Sequence, residues 1–271
     1  MFYLLLTLFG CLTGVTAVLF GFGGGFVVVP LMYRMLTASH GADDPISQSA
    51  MHIAVATSTC VMIVNALVAT DKHRRAGNLI RDYLWPLGGF IGLGAVVGAI
   101  AAVWVSGEVI RHAFIAYLGV TIVDCLLRRG FLTQSEGAIP RRLGTLETSG
   151  GGVGIGAIAT FLGVGGSVMT VPLLRRCGLS MSQATSMANP LSVPVALAGT
   201  LTYMAMAGLS ETKLGPWFIG YVDLLAFAVL TLGSMLGIRL ATRWIGRIPD
   251  RVHAWVYIAL LIIVMLGMTL K

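Results

Sequence analysis

The 271-residue chain is 56% apolar and 11% charged, with a formal net charge of +7 and a mean hydropathy of +0.88. A soluble domain carries roughly a quarter charged residues. This composition therefore excludes a soluble enzyme and indicates an integral membrane protein without a sizeable aqueous domain. The positive charge does not indicate a nucleic-acid partner, because the basic residues stand in short loops between apolar runs, as the positive-inside rule requires.

The first half of the chain predicts a broken segment followed by three spans. Uncharged runs of about 18 residues or more can cross a bilayer as helices. The predicted elements are a helix over 2–20, a glycine break, a short helix over 26–36, a polar loop over 37–49, and spans over 52–70, 83–105 and 109–127. Trp85 and Trp104 bracket the middle span, as interfacial aromatic residues do.

The second half repeats this order after a polar linker. The predicted elements are a helix over 144–162, a break, a short helix over 168–174, and spans over 184–207, 217–240 and 254–270. We therefore divide the chain into a first repeat over 1–129, a cytoplasmic linker over 130–143 and a second repeat over 144–271.

A glycine-rich motif occurs once in each half. One copy reads GFGGGFVVVPL from Gly21, and the other reads GVGGSVMTVPL from Gly163, 142 positions later. Glycine clusters hold an α-helix poorly, and unpaired backbone survives in hydrocarbon only against protein or beside a polar cavity. A single cluster is more often a packing device, but two matched breaks are the best sequence indication of a transport site.

The basic residues predict how the two halves are oriented. Fourteen of the 18 lysines and arginines fall in four loops, over 72–81, 128–142, 175–176 and 239–251. If all four loops are cytoplasmic, each broken segment must return to its own side. The predicted fold is then an all-α polytopic membrane protein with two inverted repeats, each a glycine-broken re-entrant helical hairpin plus three transmembrane helices. The competing interpretation, eight spans in parallel repeats, strands the arginines of 239–251 outside.

The breaks also predict where an anion would bind. The first N–H groups of a helix lack helical partners, and the N-terminus carries about half a positive charge. Glycines let an anion approach these groups closely. The candidate substrate-binding residues are Gly23, Gly24, Gly25, Thr57, Ser58, Gly165, Gly166, Ser167, Thr185, Ser186 and Asn189. The candidate hinges are Pro30, Pro172, Pro190 and Pro194, because proline loosens a helix.

Few ionisable residues fall within the predicted spans. Asp223 lies six residues into the span that begins at Trp217, without a nearby basic residue, and is a candidate proton relay. Asp124 lies four residues before Arg128, which favours an interfacial ion pair over a relay. The four cysteines form no CxxC pair or ligand cluster, so the sequence predicts no metal and no cofactor.

Several other glycines are spaced for helix packing. Pairs four residues apart allow two helices to approach closely. Such pairs are Gly10/Gly14, Gly88/Gly92, Gly94/Gly98, Gly152/Gly156 and Gly233/Gly237. We interpret them as packing positions, and the Gly154-Ile155-Gly156 sequence is not a dinucleotide site, because it lacks the βαβ context.

The doubled motif, with Ala56-Thr57-Ser58 and Ala184-Thr185-Ser186 opening the next spans, resembles the TauE/SafE sulfite exporter family of bacterial membrane permeases. The resemblance covers essentially the whole chain. It implies a multi-pass secondary transporter in the bacterial inner membrane that moves sulfur-containing anions, such as sulfite or organosulfonates, out of the cytoplasm. It also implies roles for the break glycines and prolines, and for the hydroxyl residues of the two Ala-Thr-Ser sequences.

The expected function is therefore export of a sulfur-containing anion by alternating access, with the anion and the lipid bilayer as partners and a homodimer left open. Uptake of a sulfur compound such as thiosulfate, in contact with a cysteine, is the alternative within transport. A non-transporting accessory subunit and an intramembrane enzyme are the alternatives outside it. Against an enzyme, no nucleophile–base pair appears within the spans.

Overall fold

The computed structural model describes residues 2–41, 43–128, 131–132, 140–207 and 214–269, most of them helical. The helices are α1 Phe2–Phe20, α2 Gly25–Ser39, α3 Pro45–Gln48, α4 Ala50–Arg75, α5 Leu87–Val103, α6 Gly107–Leu127, α7 Thr145–Leu162, α8 Ser167–Arg176, α9 Met181–Ala207, α10 Leu224–Ala241 and α11 Asp250–Thr269. Two 3₁₀ turns, Arg81–Tyr83 and Thr242–Trp244, precede α5 and follow α10. Most of the predicted linker lies outside the described residues.

The helical content and its hydropathy agree with the expected membrane architecture. Five helical segments within the described ranges are long and apolar enough to cross a membrane. They are Ala50–Arg75, Arg81–Val103, Gly107–Leu127, Leu224–Trp244 and Asp250–Thr269. Trp85 and Trp104, which flank α5, are 75% and 78% exposed, as expected of side chains that meet lipid headgroups. The prediction of an all-α polytopic membrane protein is confirmed.

Each broken segment packs its first helix against the other half of the chain. A Cβ at Gly14 of α1 would overlap the backbone of Ser234 in α10, and one at Gly156 of α7 would overlap the backbone of Ile91 in α5. Backbones can approach this closely only where no side chain stands between them. The packing interpretation therefore holds for these glycines, whereas Gly88 and Gly92 face side chains.

Equivalent helices of the two halves meet in antiparallel pairs. In α4 and α9, the hydroxyls of Thr59 and Thr200 are 3.4 Å apart, and His73 contacts Ser186 at 3.0 Å. Residue numbers thus rise along α4 as they fall along α9. The same holds for α6 and α11, where Arg111 donates to Met268 O at 3.4 Å and a Cβ at Gly119 would lie 3.9 Å from Met265 Sδ.

Contacts join the basic loops at one end of the helix bundle. Arg175 lies 3.0 Å from Asp250, and Arg176 lies 2.8 Å from Asp124. Arg128 also donates to Asp124, so the predicted i,i+4 pair is confirmed. Further contacts at this end are those of Arg142 with Asp82 at 3.6 Å and of Arg141 N with Cys177 O at 2.9 Å. Loops that are far apart in sequence thus share one end of the bundle.

The start of α10 differs from the sequence prediction. The run from Trp217 was expected to be helical, but Phe218–Ile219 (β1) and Val222–Asp223 (β2) form a short antiparallel hairpin. Gly220, with φ 63°, takes the positive-φ position of the tight turn. Asp223 ends the hairpin and caps α10, accepting from the N–H groups of residues 225 and 226 at 3.0 Å each. Hydropathy does not show this turn, because its residues are as apolar as those of the helix.

Candidate functional site

The first break is built on left-handed glycine conformations. α1 ends at Phe20, and Gly21, Gly23 and Gly24 have φ values of 73°, 63° and 107°. Other residues rarely adopt these values. Gly24 then caps the N-terminus of α2 without a side-chain hydrogen bond. The chain thus reverses over four residues, and the first N–H groups of α2 begin where the reversal ends.

The second break reverses the chain with fewer strained positions. Gly163 ends α7 in the left-handed conformation, with φ 68°. Gly166 caps α8 with φ −56°, an ordinary right-handed value. At the next position the second motif has Ser167, whereas the first has Gly25, where a Cβ would overlap the carbonyl oxygen of Gly163.

The two breaks touch each other inside the bundle. A Cβ at Gly25 would overlap the carbonyl oxygen of Gly163 and would lie 3.4 Å from Val164 Cα. Ser58 of α4 donates to the same Gly163 oxygen at 3.0 Å. Two candidate residues from the sequence, Gly25 and Ser58, therefore meet at one buried junction.

Two buried side chains fill the space beside the junction. A Cβ at Gly23 would lie 2.9 Å from Met62 Sδ, and one at Gly165 would lie 2.8 Å from the same sulfur and 2.9 Å from Ser192 Oγ. Met62 belongs to α4 and Ser192 to α9, and both are fully buried. Equivalent glycines of the two breaks thus face the same thioether. Met62 therefore lies between Gly23 and Gly165, although the breaks touch each other at Gly25 and Gly163.

The remaining candidate polar residues, Thr57, Ser167, Thr185, Ser186 and Asn189, are all buried. Thr185 contributes its carbonyl, which would lie 2.7 Å from a Cβ at Gly21. Asn189 makes only a long contact to that carbonyl, at 3.5 Å. Its Oδ1, like Ser167 Oγ, has no hydrogen-bond partner within the described chain. Thr57 lies apart from the breaks and accepts a hydrogen bond from Asp223 N at 3.0 Å.

The Ala-Thr-Ser sequences of α4 and α9 do not occupy equivalent places. Gly163 faces Val55 and Ser58, whereas its counterpart Gly21 faces Thr185 and Ala188. By these contacts Ser58 corresponds to Ala188. The two Ala-Thr-Ser sequences would instead align Ser58 with Ser186, two residues earlier. Similar residues in the two halves make different contacts, and the junction is chemically asymmetric.

Two histidines hold the end of α1 beside the first break. His73 Nε2 lies 2.8 Å from Val18 O, and His253 Nε2 lies 2.8 Å from Leu19 O. Because a carbonyl only accepts, each Nε2 must carry a proton. His73 Nδ1 in turn contacts Ser186 Oγ at 3.0 Å. The carbonyls that α1 leaves unpaired thus find partners on α4 and α11.

The candidate hinge prolines all lie inside helices: Pro30 in α2, Pro172 in α8, and Pro190 and Pro194 in α9. Proline removes the N–H that would bind the carbonyl four residues earlier. For Pro172 that carbonyl belongs to Val168, and the Tyr257 hydroxyl donates to it at 3.4 Å. The carbonyl that Pro172 leaves without its helical N–H therefore has a hydrogen-bond donor on α11. The hinge role of the prolines remains a prediction.

The sequence reasoning missed Met62, Ser192, Thr13 and Asn65, whose side chains lie against the break glycines. Methionine and serine carry no signal among so many apolar and small residues. Asn65 could have been found, because it is the only amide in the uncharged run over 53–70. A polar group within a span is costly and therefore a functional hypothesis.

The cysteines and the acidic residues show no sign of a metal centre. All four cysteines are free. Within the described ranges, no group of three or more His, Cys, Asp or Glu residues could hold a metal ion. The chemistry at the junction is instead that of backbone N–H groups, hydroxyls and amides.

A model of the family described as sulfite exporter TauE/SafE matches residues 6–268. The chain belongs to the TauE/SafE family. A probable membrane transporter protein of Haemophilus influenzae is 25% identical over 273 residues, covering 100% of this chain and 99% of that protein. A probable membrane transporter protein of Methanocaldococcus jannaschii is 22% identical over 248 residues, covering 87% of this chain and 85% of that protein. No solved structure matches the chain significantly. This TauE/SafE chain is thus a multi-pass membrane transporter.

Proposed function

We propose that this TauE/SafE protein exports a sulfur-containing anion, sulfite or an organosulfonate, across the bacterial inner membrane. The observation that carries the proposal is the contact between the two breaks, in which Gly25 abuts the carbonyl of Gly163. Two residues before α2 and α8, Gly23 and Gly165 face the same sulfur of Met62, and each of these helix N-termini carries partial positive charge and unpaired N–H groups. Such a site binds an anion through partial charges and without a lysine or arginine side chain. The binding is therefore weak enough for the anion to be released.

We further propose that the two halves are inverted repeats that rock against each other. The antiparallel pairing of α4 with α9, through Thr59 and Thr200, supports this arrangement. Equivalent helices that run in opposite directions are what a two-fold axis in the membrane plane requires. The basic loops gathered at one end, through contacts such as Arg175 with Asp250, give that end a cytoplasmic orientation by the positive-inside rule.

Counterflow in proteoliposomes tests the proposed function. Vesicles that contain the purified protein are loaded with unlabelled sulfite and diluted into labelled sulfite, with methanesulfonate in a parallel series. We expect label to accumulate transiently inside the loaded vesicles and not in vesicles without protein. If neither anion shows counterflow while the reconstituted protein is folded, the protein is not a transporter of these anions.

The proton-relay hypothesis for Asp223 can be tested by a substitution that preserves the helix cap. Burial raises the pKa of the Asp223 carboxyl, and the backbone N–H groups of Ala226 and Leu225 act to lower it. The raised pKa means that protonation begins at a higher pH than for an ordinary aspartate. Asparagine caps a helix as well as aspartate does but does not titrate.

We therefore expect wild-type transport to change as the pH is lowered through the range in which Asp223 takes up a proton, above the ordinary pKa of an aspartate, and the transport of Asp223→Asn to be flat there. Initial rates from pH 4.5 to 8 would be compared, with Asp43→Asn as the control because Asp43 is an exposed loop residue. If Asp223→Asn keeps the wild-type profile, Asp223 has no part in proton coupling.

A further inference from the structure

The two break glycines Gly24 and Gly166 have chemically different surroundings. A Cβ at Gly24 would lie 2.5 Å from Asn65 Nδ2 and 3.0 Å from Thr13 Cγ2. A Cβ at Gly166 would lie 3.3 Å from Ile155 Cγ2 and 3.8 Å from Val195 Cγ2. The same position of the repeat thus faces a side-chain amide in one half and methyl groups, including Thr170 Cγ2 at 3.8 Å, in the other. The asymmetry concerns the two helix N-termini at which an anion would bind.

The amide of Asn65 is held in one orientation by α10. Ser234 Oγ donates to Asn65 Oδ1 at 2.6 Å. Ser234 Oγ also lies 2.9 Å from Thr231 O. With the amide oxygen on the Ser234 side, the amide nitrogen is turned toward Gly24. Asn65 and Ser234 are both fully buried. The NH₂ group is therefore positioned by the fold and directed at the N-terminal end of α2.

Two polar atoms at this place lack partners. Neither Asn65 Nδ2 nor Thr13 Oγ1 has a hydrogen-bond partner in the described part of the chain, and both residues are fully buried. A buried polar group without a partner destabilises the folded protein, because it has lost its hydrogen bonds to water. Such groups are rare in native structures and need a specific explanation, such as a ligand that is absent from the structure.

The free groups suit an oxyanion. The Asn65 amide offers two N–H donors and the Thr13 hydroxyl offers one. Gly24 caps α2, a helix of 15 residues, whose N-terminus adds unpaired N–H groups and partial positive charge. The side chains of Thr13, Asn65 and Ser234 are neutral, so none of them repels an anion.

We propose that Thr13 and Asn65, oriented by Ser234, form an oxyanion subsite at the N-terminus of α2. This subsite rests on the proposed anion transport and deepens it, because it locates the anionic oxygens at the first break. At the equivalent place of the second break, a Cβ at Gly166 would meet methyl groups of Ile155, Thr170 and Val195 and no amide, so we expect the subsite at the first break alone. The transporter therefore binds one oxyanion per chain, in one orientation.

The Thr13→Val variant gives the sharpest test. Valine keeps the shape of threonine and removes only a hydroxyl that makes no hydrogen bond to the described protein. A purely structural role therefore predicts no loss of folding stability and no loss of binding. Thr170→Val is the matched control, because Thr170 Oγ1 is also buried without a partner, and its Cγ2 would lie 3.8 Å from a Cβ at Gly166.

Binding of sulfite and of methanesulfonate would be measured by the rise in melting temperature that each anion gives the purified protein, since a ligand of the folded state stabilises it. Transport would be measured by counterflow. We expect Thr13→Val to weaken binding and raise KM about tenfold, the effect of losing one hydrogen bond to a charged group. Thr170→Val should match the wild type in binding and transport, and both variants should melt at or above the wild-type temperature without anion.

A second variant, Asn65→Asp, keeps the acceptor for Ser234 but directs an oxygen instead of an amide nitrogen at Gly24. We expect it to lose anion binding altogether. Wild-type affinity in Thr13→Val, or no binding of either anion to the wild type, would overturn the subsite. Binding that depends on Thr13 without any counterflow would overturn the proposed transport and leave the subsite standing.

Discussion

Replacing Gly25 by alanine is expected to lower transport by about 10- to 100-fold. The added Cβ would overlap the carbonyl oxygen of Gly163 and would push the two breaks apart. Overpacking of this kind costs about 1–3 kcal/mol, and every 1.4 kcal/mol is a factor of about ten in a conformational equilibrium. Gly25 is helical and does not have a positive φ, so the effect reports the contact and not backbone strain.

The measurement is the initial rate of sulfite counterflow, normalised to the amount of protein in the membrane. Gly154→Ala is the control, because Gly154 lies in α7, which leads to the second break, and a Cβ there would meet nothing within 4 Å. Equal rates for Gly25→Ala and Gly154→Ala would show that the contact between the breaks does not matter for transport.

Replacing Gly156 by alanine is expected to destabilise the folded protein by about 1–3 kcal/mol. A Cβ at Gly156 would overlap the carbonyl oxygen of Ile91 and lie 2.9 Å from Ala95 N. Neither is a flexible side chain that could move aside, so α5 and α7 would have to separate. The pair joins the two halves of the chain, and its loosening should lower the melting temperature by about 2–4 °C for each kcal/mol.

Melting of the purified protein in detergent checks this prediction. Gly154→Ala, two residues away on the same helix, should melt at or above the wild-type temperature, since alanine favours a helix over glycine by about 1 kcal/mol. A lower melting temperature in both variants would mean that α7 tolerates no side chain for some reason other than contact with α5.

The sequence predicted the parts of the fold that depend on backbone conformation. Gly21 and Gly24 predicted the first break, because the chain reverses there through positive φ values that most other residues avoid. Pro30 and Pro172 marked the helices that follow. The apolar spans were visible because hydrocarbon admits few charged residues. These constraints act within a short stretch of chain and can be read from that stretch alone.

Contacts between distant segments could not be read in the same way. Taken in order, the pairs Gly94/Gly98 and Gly233/Gly237 match Gly94 of α5 with Gly233 of α10. In the structure, however, Gly94 faces Val153, and Gly237 faces Cys11, the residue equivalent to Val153 in the first half. The match is therefore Gly94 with Gly237, one helical turn further on. Spacing within a helix does not determine which turn meets the partner helix.

The junction shows the same limit. Glycines of both breaks were predicted, yet Met62, which lies against Gly23 and Gly165, was not. A methionine in an apolar run is consistent with lipid contact, core packing or a site, and only the folded contacts separate these roles. Asp223 was placed inside a span because neither length nor hydropathy reveals a two-residue turn.

The central claim is that the two halves are inverted, so that their breaks meet from opposite faces of the membrane. Single cysteines at Ala76, just after α4, and at Pro216, before α10, test it most directly in a background without the four native cysteines. Both positions are exposed. We expect a membrane-impermeant thiol reagent, added outside intact cells, to label the cysteine at 216 and not the one at 76. Labelling of both positions from the same side would contradict the inverted arrangement.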